Sequence, residues 1–584
     1  MTFSTHSALR ADGTPSDVGL IYLDQVDVAK LRTPIDVVDD SGVIDLIELW
    51  TEQDGIGVGG VGRPRKIPIR SVLVLMVMLA IDNQPMHLTK ARDIICDRAT
   101  DNALKTLGFP TRNETDYTSL KGRKQWYDKL WHAYHAILRV VDPFPEMTYK
   151  RRLTKEEYAE LVATRNPDLV EARRQRLPLF NNRLIMATAK LIGEEEFNRW
   201  EGDVAVDGTP IKAARIGSAR GARRVSSEPD AGWYVREGNH DGSQEDDPYK
   251  TMWAYEATLA VMTFSKTDDE MPSLLLGMSL DKPGHNIGKR AQDALSHIIS
   301  DPETPKGYFI GDRAYLPNSK PENLAIPLRL AGYKMMGDQR GDSLGFRMHY
   351  QGADLIDGTW YLAGMPKNLV NAGVDFHADT IDEAQFAARI EKRKPFELRV
   401  KTVAQDGTIV FYNPANYGKY TTVLLPGVKR PENFADNAVK VFEKDLPPKV
   451  QRSGLLKGNK TLRIPLEIGA KYAQQGPAWA TKEWASIYHR GRNTIESRND
   501  LLKSGRYSSI GDQTTRMIRG FAANAVFVAL GAVSVNIGLI KRYLHRLVIN
   551  FDIKPKPPTP PETRRVTDEF LSEIQHANAP PQVA

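Results

Sequence analysis

The chain has almost no cysteine: Cys96 is the only one among 584 residues. A single thiol cannot form a disulfide within the chain, and a zinc site made of several cysteines is excluded. We expect Cys96 to be a small, buried, apolar residue. This usage of cysteine suits a protein of the reducing cytoplasm.

Signals for export, for membrane insertion and for phosphate-loop nucleotide binding are also lacking. The N-terminal residues contain no apolar signal-peptide core. The apolar run at 71–81 is too short to cross a bilayer. The run at 521–540 is long enough, but it is rich in alanine and glycine and contains asparagine, so we expect a buried core helix. The glycine-rich run at 57–63 lacks the Gly-Lys-Ser/Thr that a phosphate loop requires.

The bulk composition is that of an ordinary soluble globular protein, long enough for two to four domains. The net charge of +6 permits a polyanionic partner without requiring one. Six segments are predicted, and we see no internal repeat. They are a partly disordered segment (1–45), a helical region with a possible DNA-binding role (46–200), a mixed α/β region (201–340), a strand-rich region with two Asp-Gly hairpin signals (341–480), a second helical part (481–548) and a proline-rich disordered tail (549–584).

Basic clusters occur in the helical region, at 62–66, 149–152 and 171–176. Each is compatible with an ordinary solvated surface or with contacts to DNA phosphates.

Two aspartates follow apolar runs that are predicted to be strands. Asp207 comes after "VAV" and before "GTP", and Asp312 comes after "GYFIG" and before "RAY". An acid at the end of a strand can project into a cleft. It can equally be a turn or helix-capping residue, so neither aspartate alone indicates a site.

A third acid, Glu496, lies in a run of basic and polar residues that is predicted to be helical. On a helix, Tyr488, Arg492, Glu496 and Lys503 share one face within an arc of about 80°. Three carboxylates on separate elements are the kind of set that holds two divalent metal ions for attack on phosphorus. Arg492 and Lys503 would then contact phosphates beside the metal ions.

The stretches "VAVDGTPIKA", "FIGDRAYLP" and "YHRGRNTIESRNDLLK" resemble the acidic motifs of bacterial insertion-sequence transposases of the Asp-Asp-Glu type. The third resembles the Tyr-Arg-Glu-Lys signature of one large cut-and-paste group. Arg492 and Lys503 stand at the expected distances from Glu496, whereas Tyr488 precedes Arg492 by four residues instead of three. The 184 residues between Asp312 and Glu496 leave room for the β-strand insertion domain that this family often carries.

The resemblance implies a ribonuclease-H-like α/β core with a β-rich insertion between the second aspartate and the glutamate, plus a helical N-terminal region. Asp207, Asp312 and Glu496 would be catalytic and would bind two Mg²⁺ ions, with Mn²⁺ as a substitute. Double-stranded DNA would be the partner, and Tyr488, Arg492, Lys503 and Arg313 are the expected DNA contacts. The resemblance further implies a homodimer on DNA and a cytoplasmic bacterial protein associated with the nucleoid.

Alternatives remain at several positions. Asp203 and Glu483 are rival acids for Asp207 and Glu496. His285 and the basic loop at 212–224 are each either structural or in contact with DNA. At the level of function, the rivals are a ribonuclease-H-like nuclease without strand transfer, an inactive DNA-binding derivative and, more distantly, a membrane protein.

Overall fold

The computed structural model describes residues 25–56, 67–147, 151–215, 217–219, 221–237, 249–266, 271–429, 431–516 and 518–552. The glycine-rich run at 57–63, the basic cluster at 62–66, part of the cluster at 149–152 and nearly all of the predicted proline-rich tail lie outside these residues. The chain divides into two compact units, residues 1–540 and 541–584. The elements described below belong to the first unit, and only the last helix continues beyond it.

The described part of the N-terminal region is helical, as its apolar spacing predicts. Helix α3 (Ile69–Ile81) is almost entirely apolar, and its residues 71–80 are buried. A π-helical turn at Ile94–Arg98 contains Cys96, which is buried as expected and whose pKa burial raises to about 11. The helices are α1 (Val28–Asp40), α2 (Val43–Gln53), α3 (Ile69–Ile81), α4 (Leu88–Asp93), α5 (Asp101–Thr106), α6 (Leu120–Val141), α7 (Lys155–Ala163), α8 (Pro167–Lys190) and α9 (Glu194–Phe197).

Helix α1 was not predicted, because it lies inside the segment 1–45 that the sequence analysis treats as partly disordered. Its first turn is capped by Asp27, whose side chain accepts a hydrogen bond from the backbone N–H of Lys30. Leu31, Val37 and Val38 are fully buried. Packing of this apolar face against α3 and α8 stabilises a helix that has weak local signals.

In the basic cluster at 171–176, two arginines are neither on a solvated surface nor free to contact DNA phosphates, the two roles predicted for the cluster. Arg173 and Arg176 form ion pairs with the buried carboxylate of Asp54, at 3.1 and 2.7 Å. All three side chains are at most 11% exposed. These two arginines therefore join α8 to the end of α2 and are not available to DNA phosphates.

The central element is a six-stranded mixed sheet. Strand β3 pairs antiparallel with β1 along one edge, and with β2 and then β4 along the other. Beyond β1 the sheet continues with β5 and β6, which are parallel to β1 and to each other. The strands and the helices between them are β1 (Val204–Lys212), β2 (Gly232–Glu237), β3 (Tyr249–Met262), β4 (Leu275–Asp281), α10 (Ile287–Ile299), β5 (Tyr308–Gly311), α11 (Ala325–Leu330) and β6 (Lys334–Gly337).

Helices cover this sheet. Helices α8 and α10 pack on β4, all seven residues of which are buried, and α15 (Lys482–Lys503) packs on β1, β3 and β5. Strands β1 and β5 lie where the sequence analysis predicts strands. Strand β2 was not predicted, although its Trp233, Tyr234 and Val235 are residue types that strands favour. Trp233 and Val235 are exposed in it.

Residues 341–480 contain several small sheets and a group of helices. Both Asp-Gly hairpin signals are confirmed, and Asp357 and Gly358 have the two positive φ angles, 45° and 78°, that a type I′ turn needs. The helices in this region were not predicted. The elements are β7 (Phe346–Tyr350), β8 (Ala353–Ile356), β9 (Thr359–Leu362), α12 (Lys367–Val370), α13 (Ala372–His377), α14 (Glu383–Arg393), β10 (Val400–Val403), β11 (Ile409–Tyr412), β12 (Val423–Leu424), β13 (Val439–Lys440) and β14 (Thr461–Ile464).

The end of this region closes the outer edge of the central sheet. The side chain of Gln475 accepts a hydrogen bond from the backbone N–H of Met335. The backbone N–H of Gln475 donates to the Met335 carbonyl. The side chain of Gln474 accepts from the N–H of Gly337. Strand β6 thus has hydrogen-bond partners on both sides.

The last helix, α16 (Phe521–Asp552), includes the long apolar run at 521–540. Among the residues that the structure describes, the span Phe521–Ile549 is long and apolar enough to cross a membrane, by length and composition. However, 94% of its most apolar stretch is buried inside the protein. The expected burial of this run is therefore confirmed.

Candidate active site

Three aspartates stand in register, each directly after the last residue that pairs in the parallel part of the central sheet. Val206 of β1 pairs with Gly311 of β5, and Gly311 pairs with Gly337 of β6. The next residues are Asp207, Asp312 and Asp338. Because neighbouring parallel strands lie about 4.8 Å apart, the three residues form a row across the sheet.

Asp207 is largely buried, with 16% of its side chain exposed. Its Oδ1 atom accepts a hydrogen bond from the backbone N–H of Gly208 at 2.9 Å. Burial raises the pKa of Asp207 to about 6, against the opposing effect of Arg492 and with a further contribution from the nearby Asp312. The neighbouring strand adds another acid, Glu256, whose pKa is also raised by burial.

Helix α15 approaches the sheet closely at a glycine. A Cβ atom on Gly491 would lie 2.7 Å from Cδ1 of Ile310, the residue before Gly311 on β5. The helix begins at the cap residue Thr481, whose side chain accepts from the N–H of Trp484. The absence of a side chain at position 491 therefore lets the polar face of α15 lie against β1 and β5.

Arg492 joins the first acid to the third. Its Nη2 atom lies 3.3 Å from Oδ2 of Asp207 and 3.2 Å from Oε1 of Glu496. The guanidinium is 16% exposed, whereas the Glu496 side chain is 61% exposed. The structure thus brings Glu496 to the open side of the site and Arg492 to the space between the two carboxylates.

Two further residues of α15 face β1. Lys503 donates a hydrogen bond to the hydroxyl of Thr209 at 2.8 Å. Asn499, which was not predicted, lies with Nδ2 3.5 Å from Oδ2 of Asp207. Within the described part of the chain, its buried Oδ1 atom has no hydrogen-bond partner. The sequence signal that could have identified Asn499 is its place three residues after Glu496, on the same face of the helix.

The second acid is half-buried and lies beside a bidentate ion pair. Asp312 accepts a hydrogen bond from the N–H of Ala314 at 2.8 Å. Arg313 contacts Oδ2 of Asp338 through Nε at 2.7 Å and Nη2 at 2.6 Å, and its side chain is 63% exposed. The other oxygen of Asp338 accepts from Nε1 of Trp479 at 3.0 Å.

Asp338 is a site residue that the sequence analysis missed. The signal was a Gly-Asp pair after a short apolar strand, as in "IGD" at 310–312 and "MGD" at 336–338. Its oxygens are both engaged by protein donors, so Asp338 holds Arg313 in place.

Tyr488 lies deeper than the other predicted DNA contacts. Its ring is buried and stacks on Trp484, with centroids 4.6 Å apart. Burial raises the pKa of its phenol, as does the nearby carboxylate of Asp338. Tyr488 therefore remains a neutral phenol that packs under the site.

The rival acids are placed elsewhere. Asp203 lies before β1, is buried, and accepts from the N–H groups of Ser265 and Tyr308 at 2.6 and 2.7 Å. It joins three segments at the amino end of the parallel strands, opposite the end that carries Asp207. Glu483 lies in the first turn of α15, about 20 Å along the helix axis from Glu496.

His285 contacts none of the three predicted catalytic acids. Its Nδ1 atom lies 2.8 Å from Oδ2 of Asp281, at the end of β4. The loop at 212–224 is tied to the N-terminal region at its far end, where Arg224 pairs with Thr154 through an isolated β-bridge.

The donor chemistry at the site suits a hard divalent cation. Asp207, Asp312 and Glu496 offer carboxylate oxygens, and Asn499 offers a buried amide oxygen without a partner. In the described part of the chain, no three histidine, cysteine, aspartate or glutamate side chains are grouped closely enough for a metal site. Arg492 lies between Asp207 and Glu496 instead.

No protein-family model matches this chain, and no curated protein matches it at a significant level of similarity.

Proposed function

We propose that this chain is a DNA transposase with a ribonuclease-H-like core, which cleaves the ends of a mobile element and transfers them to target DNA. The observation that carries the proposal is the placement of three acids. Asp207 and Asp312 stand directly after the last residues that pair β1 with β5, and Arg492 links Asp207 to Glu496. The strand order supports an Asp-Asp-Glu site at this end of the sheet.

The proposed chemistry has two balanced steps. In the first, water attacks a backbone phosphorus at the element's end, and the bond from phosphorus to the 3′ oxygen breaks. The 3′ oxygen leaves with a proton as a free 3′-hydroxyl. In the second step that hydroxyl attacks a phosphorus of target DNA, forms a new phosphodiester and displaces a target 3′-hydroxyl.

Asp207, Asp312 and Glu496 would hold two Mg²⁺ ions, or Mn²⁺ in their place. When bound, the ions supply the positive charge that activates the attacking oxygen and stabilises the leaving one. Asn499 offers an additional oxygen beside Asp207.

The basic residues around the acids have separate roles in this proposal. Arg492 lowers the pKa of Asp207 by its charge, which opposes the effect of burial and favours the ionised carboxylate. Arg313 is exposed beside Asp312 and presents a planar donor group to a DNA phosphate. Lys503, held at Thr209, contacts the backbone on the other side of the site.

Double-stranded DNA is the proposed substrate, bound by a homodimer in the bacterial cytoplasm. The proposed dimer follows from the reaction, since the two ends of one element must both be cut and both be joined to the target DNA. The mildly basic net charge of +6 is compatible with a DNA partner.

The test is cleavage of a supercoiled plasmid that carries the element's ends, with Mg²⁺ or Mn²⁺. The variant Glu496→Gln should lose cleavage and strand transfer. The matched control is Glu483→Gln, an exposed glutamate of the same helix, which should retain both. Cleavage by wild type without joined products would support a nuclease instead. Equal cleavage by wild type and Glu496→Gln would contradict the assignment of the third acid.

A further inference from the structure

A cavity of about 550 Å³ lies between the N-terminal helices and the end of β4, apart from the acids of the candidate active site. Phe144, Asp230, Asp281 and Phe521 are buried members of its lining, while Lys282 and His285 are exposed at its rim. Its volume is within the range that small-molecule sites occupy.

Among the residues that the structure describes, two buried polar atoms of this lining have no hydrogen-bond partner. One is Oδ2 of Asp230, a residue that is only 4% exposed. The other is Nη2 of Arg165. Other atoms of the same groups are engaged: Oδ1 of Asp230 lies 3.4 Å from the Tyr158 hydroxyl, and Nε of Arg165 lies 2.6 Å from Glu146. Because buried polar groups are nearly always hydrogen-bonded, this pair indicates a ligand with one donor and one acceptor.

The other acid of the cavity does not offer a free charge. Oδ2 of Asp281 lies 2.8 Å from His285, 3.7 Å from Arg174 and 3.6 Å from Arg290. Its negative charge is therefore balanced within the protein. Asp230 interacts electrostatically with Arg165 and with Lys282, and its Oδ2 atom is left as the acceptor that a ligand would meet. Lys282 is a cation at the entrance.

Planar groups form much of the wall. The guanidinium of Arg165 lies 4.2 Å from the centroid of the Phe144 ring, and that of Arg174 lies 5.3 Å from the same centroid. Phe144 and Phe521 meet edge to face at 5.6 Å. Stacked guanidinium and aromatic groups make flat surfaces, on which a planar heterocycle packs well.

We propose that this cavity binds a nucleotide, with Asp230 and Arg165 contacting the edge of the base and Lys282 contacting the phosphate. Each base presents N–H donors and ring or carbonyl acceptors on neighbouring atoms, which matches the free acceptor and free donor of the protein. A planar base suits the stacked walls, and a phosphate suits the cationic rim. The site goes beyond the proposed transposase activity and does not depend on it.

Titration calorimetry of the full-length protein tests the proposal, with the four nucleoside monophosphates as probes and with ribose 5-phosphate and inorganic phosphate as controls. At least one nucleotide should bind at least tenfold more tightly than ribose 5-phosphate. Asp230→Asn should weaken that binding at least tenfold. Lys282→Gln should weaken it severalfold, while Lys155→Gln, an exposed lysine outside the cavity, should leave it unchanged.

Several outcomes would overturn the nucleotide site. They are the absence of binding, equal binding of ribose 5-phosphate, and unchanged binding by folded Asp230→Asn. If Asp230→Asn does not fold, two other results still test the site. They are the affinity for nucleotides relative to ribose 5-phosphate and the effect of Lys282→Gln on nucleotide binding. Competition by a duplex with one unpaired nucleotide, but not by a fully paired duplex, would identify DNA as the source of the nucleotide. Asp207→Asn should leave binding unchanged, which separates this test from that of the proposed function.

Discussion

One nitrogen of Arg492 lies within 3.3 Å of Asp207 and 3.2 Å of Glu496, although the two acids are 289 residues apart in the chain. Asp207 is fixed by the sheet, and Glu496 is the exposed member of a helix that packs on it. The guanidinium thus acts as the positive charge that keeps two like charges near each other. In the proposed metal site, that charge would hold the two acids together before any divalent cation is bound.

Replacement of Arg492 should therefore lower activity and shift its pH dependence. We expect Arg492→Ala to reduce the plasmid nicking rate about 100-fold, the scale of losing one preorganised electrostatic contact. The pKa of Asp207 should rise further from about 6, because Arg492 opposes the effect of burial. Nicking rates measured from pH 6 to pH 9 should then show partial recovery at high pH.

The matched control for this prediction is Arg490→Ala on the same helix, since Arg490 donates to the carbonyls of Phe264 and Lys266 and contacts none of the acids. It should retain the pH profile of wild type. Identical profiles for Arg492→Ala and wild type would show that Arg492 does not control the ionisation of Asp207.

Asp338 should act by holding Arg313 and not by binding metal. Asp338→Asn removes the charge that orients the guanidinium, and we expect nicking about tenfold slower at unchanged metal dependence. Arg313→Ala should have a similar effect, and the double variant should be no worse than either one, because the two residues act as a pair. The measurement is nicking rate against Mg²⁺ and Mn²⁺ concentration. A large increase in the metal concentration required would instead make Asp338 a ligand.

The contact between α15 and β5 should be sensitive to one methyl group. Gly491→Ala places a Cβ atom 2.7 Å from Cδ1 of the buried Ile310. Overpacking of this kind costs about 1–3 kcal/mol, and we expect a lower denaturation midpoint in urea. Adding Ile310→Ala to Gly491→Ala should cost less than the sum of the two single changes. Full additivity would mean that the two residues do not meet.

Glu228 should make the stability of the first compact unit depend on pH. It is fully buried, hydrogen-bonded to Tyr255 at 2.8 Å and to the N–H of Gly520, and burial raises its pKa from 4.5 to about 7. Because the folded state holds the proton more tightly, its contribution to stability is complete below pH 4.5 and is lost as the pH rises to about 7. The loss amounts to about 3 kcal/mol.

The check is urea denaturation of wild type and Glu228→Gln between pH 4.5 and pH 8. The variant has no titrating group at this position, so its stability should fall less with rising pH. Glu303→Gln, an exposed control, should follow wild type. Parallel curves for Glu228→Gln and wild type would rule out the raised pKa.

Local pattern was sufficient to predict most of the secondary structure around the site. Apolar runs ending in Asp207 and Asp312 predicted β1 and β5, and the spacing of Tyr488, Arg492 and Glu496 predicted the polar face of α15. The bridging position of Arg492 was not predictable, because it depends on how closely α15 approaches the sheet. That approach is set by a glycine whose partner, Ile310, is far away in sequence.

The elements that were missed depend on tertiary contacts. Helix α1 has few local signals and is stabilised by burial of Leu31 and its neighbours. Asp338 can be identified as a neighbour of Asp312 only from the parallel pairing of β5 with β6, which places Gly337 beside Gly311. The ion pairs of Arg173 and Arg176 depend on Asp54, more than 100 residues earlier.

The closure of β6 by Gln474 and Gln475 has a consequence for shortened forms of the protein. A chain that joins β6 directly to α15, without residues 341–480, would expose the backbone of Met335 and Gly337 on a short apolar strand. An open strand edge recruits strands from other molecules. The long segment between the second and third acids thus also protects the molecule against aggregation, and its removal should yield a protein that self-associates even where the acids themselves remain in place.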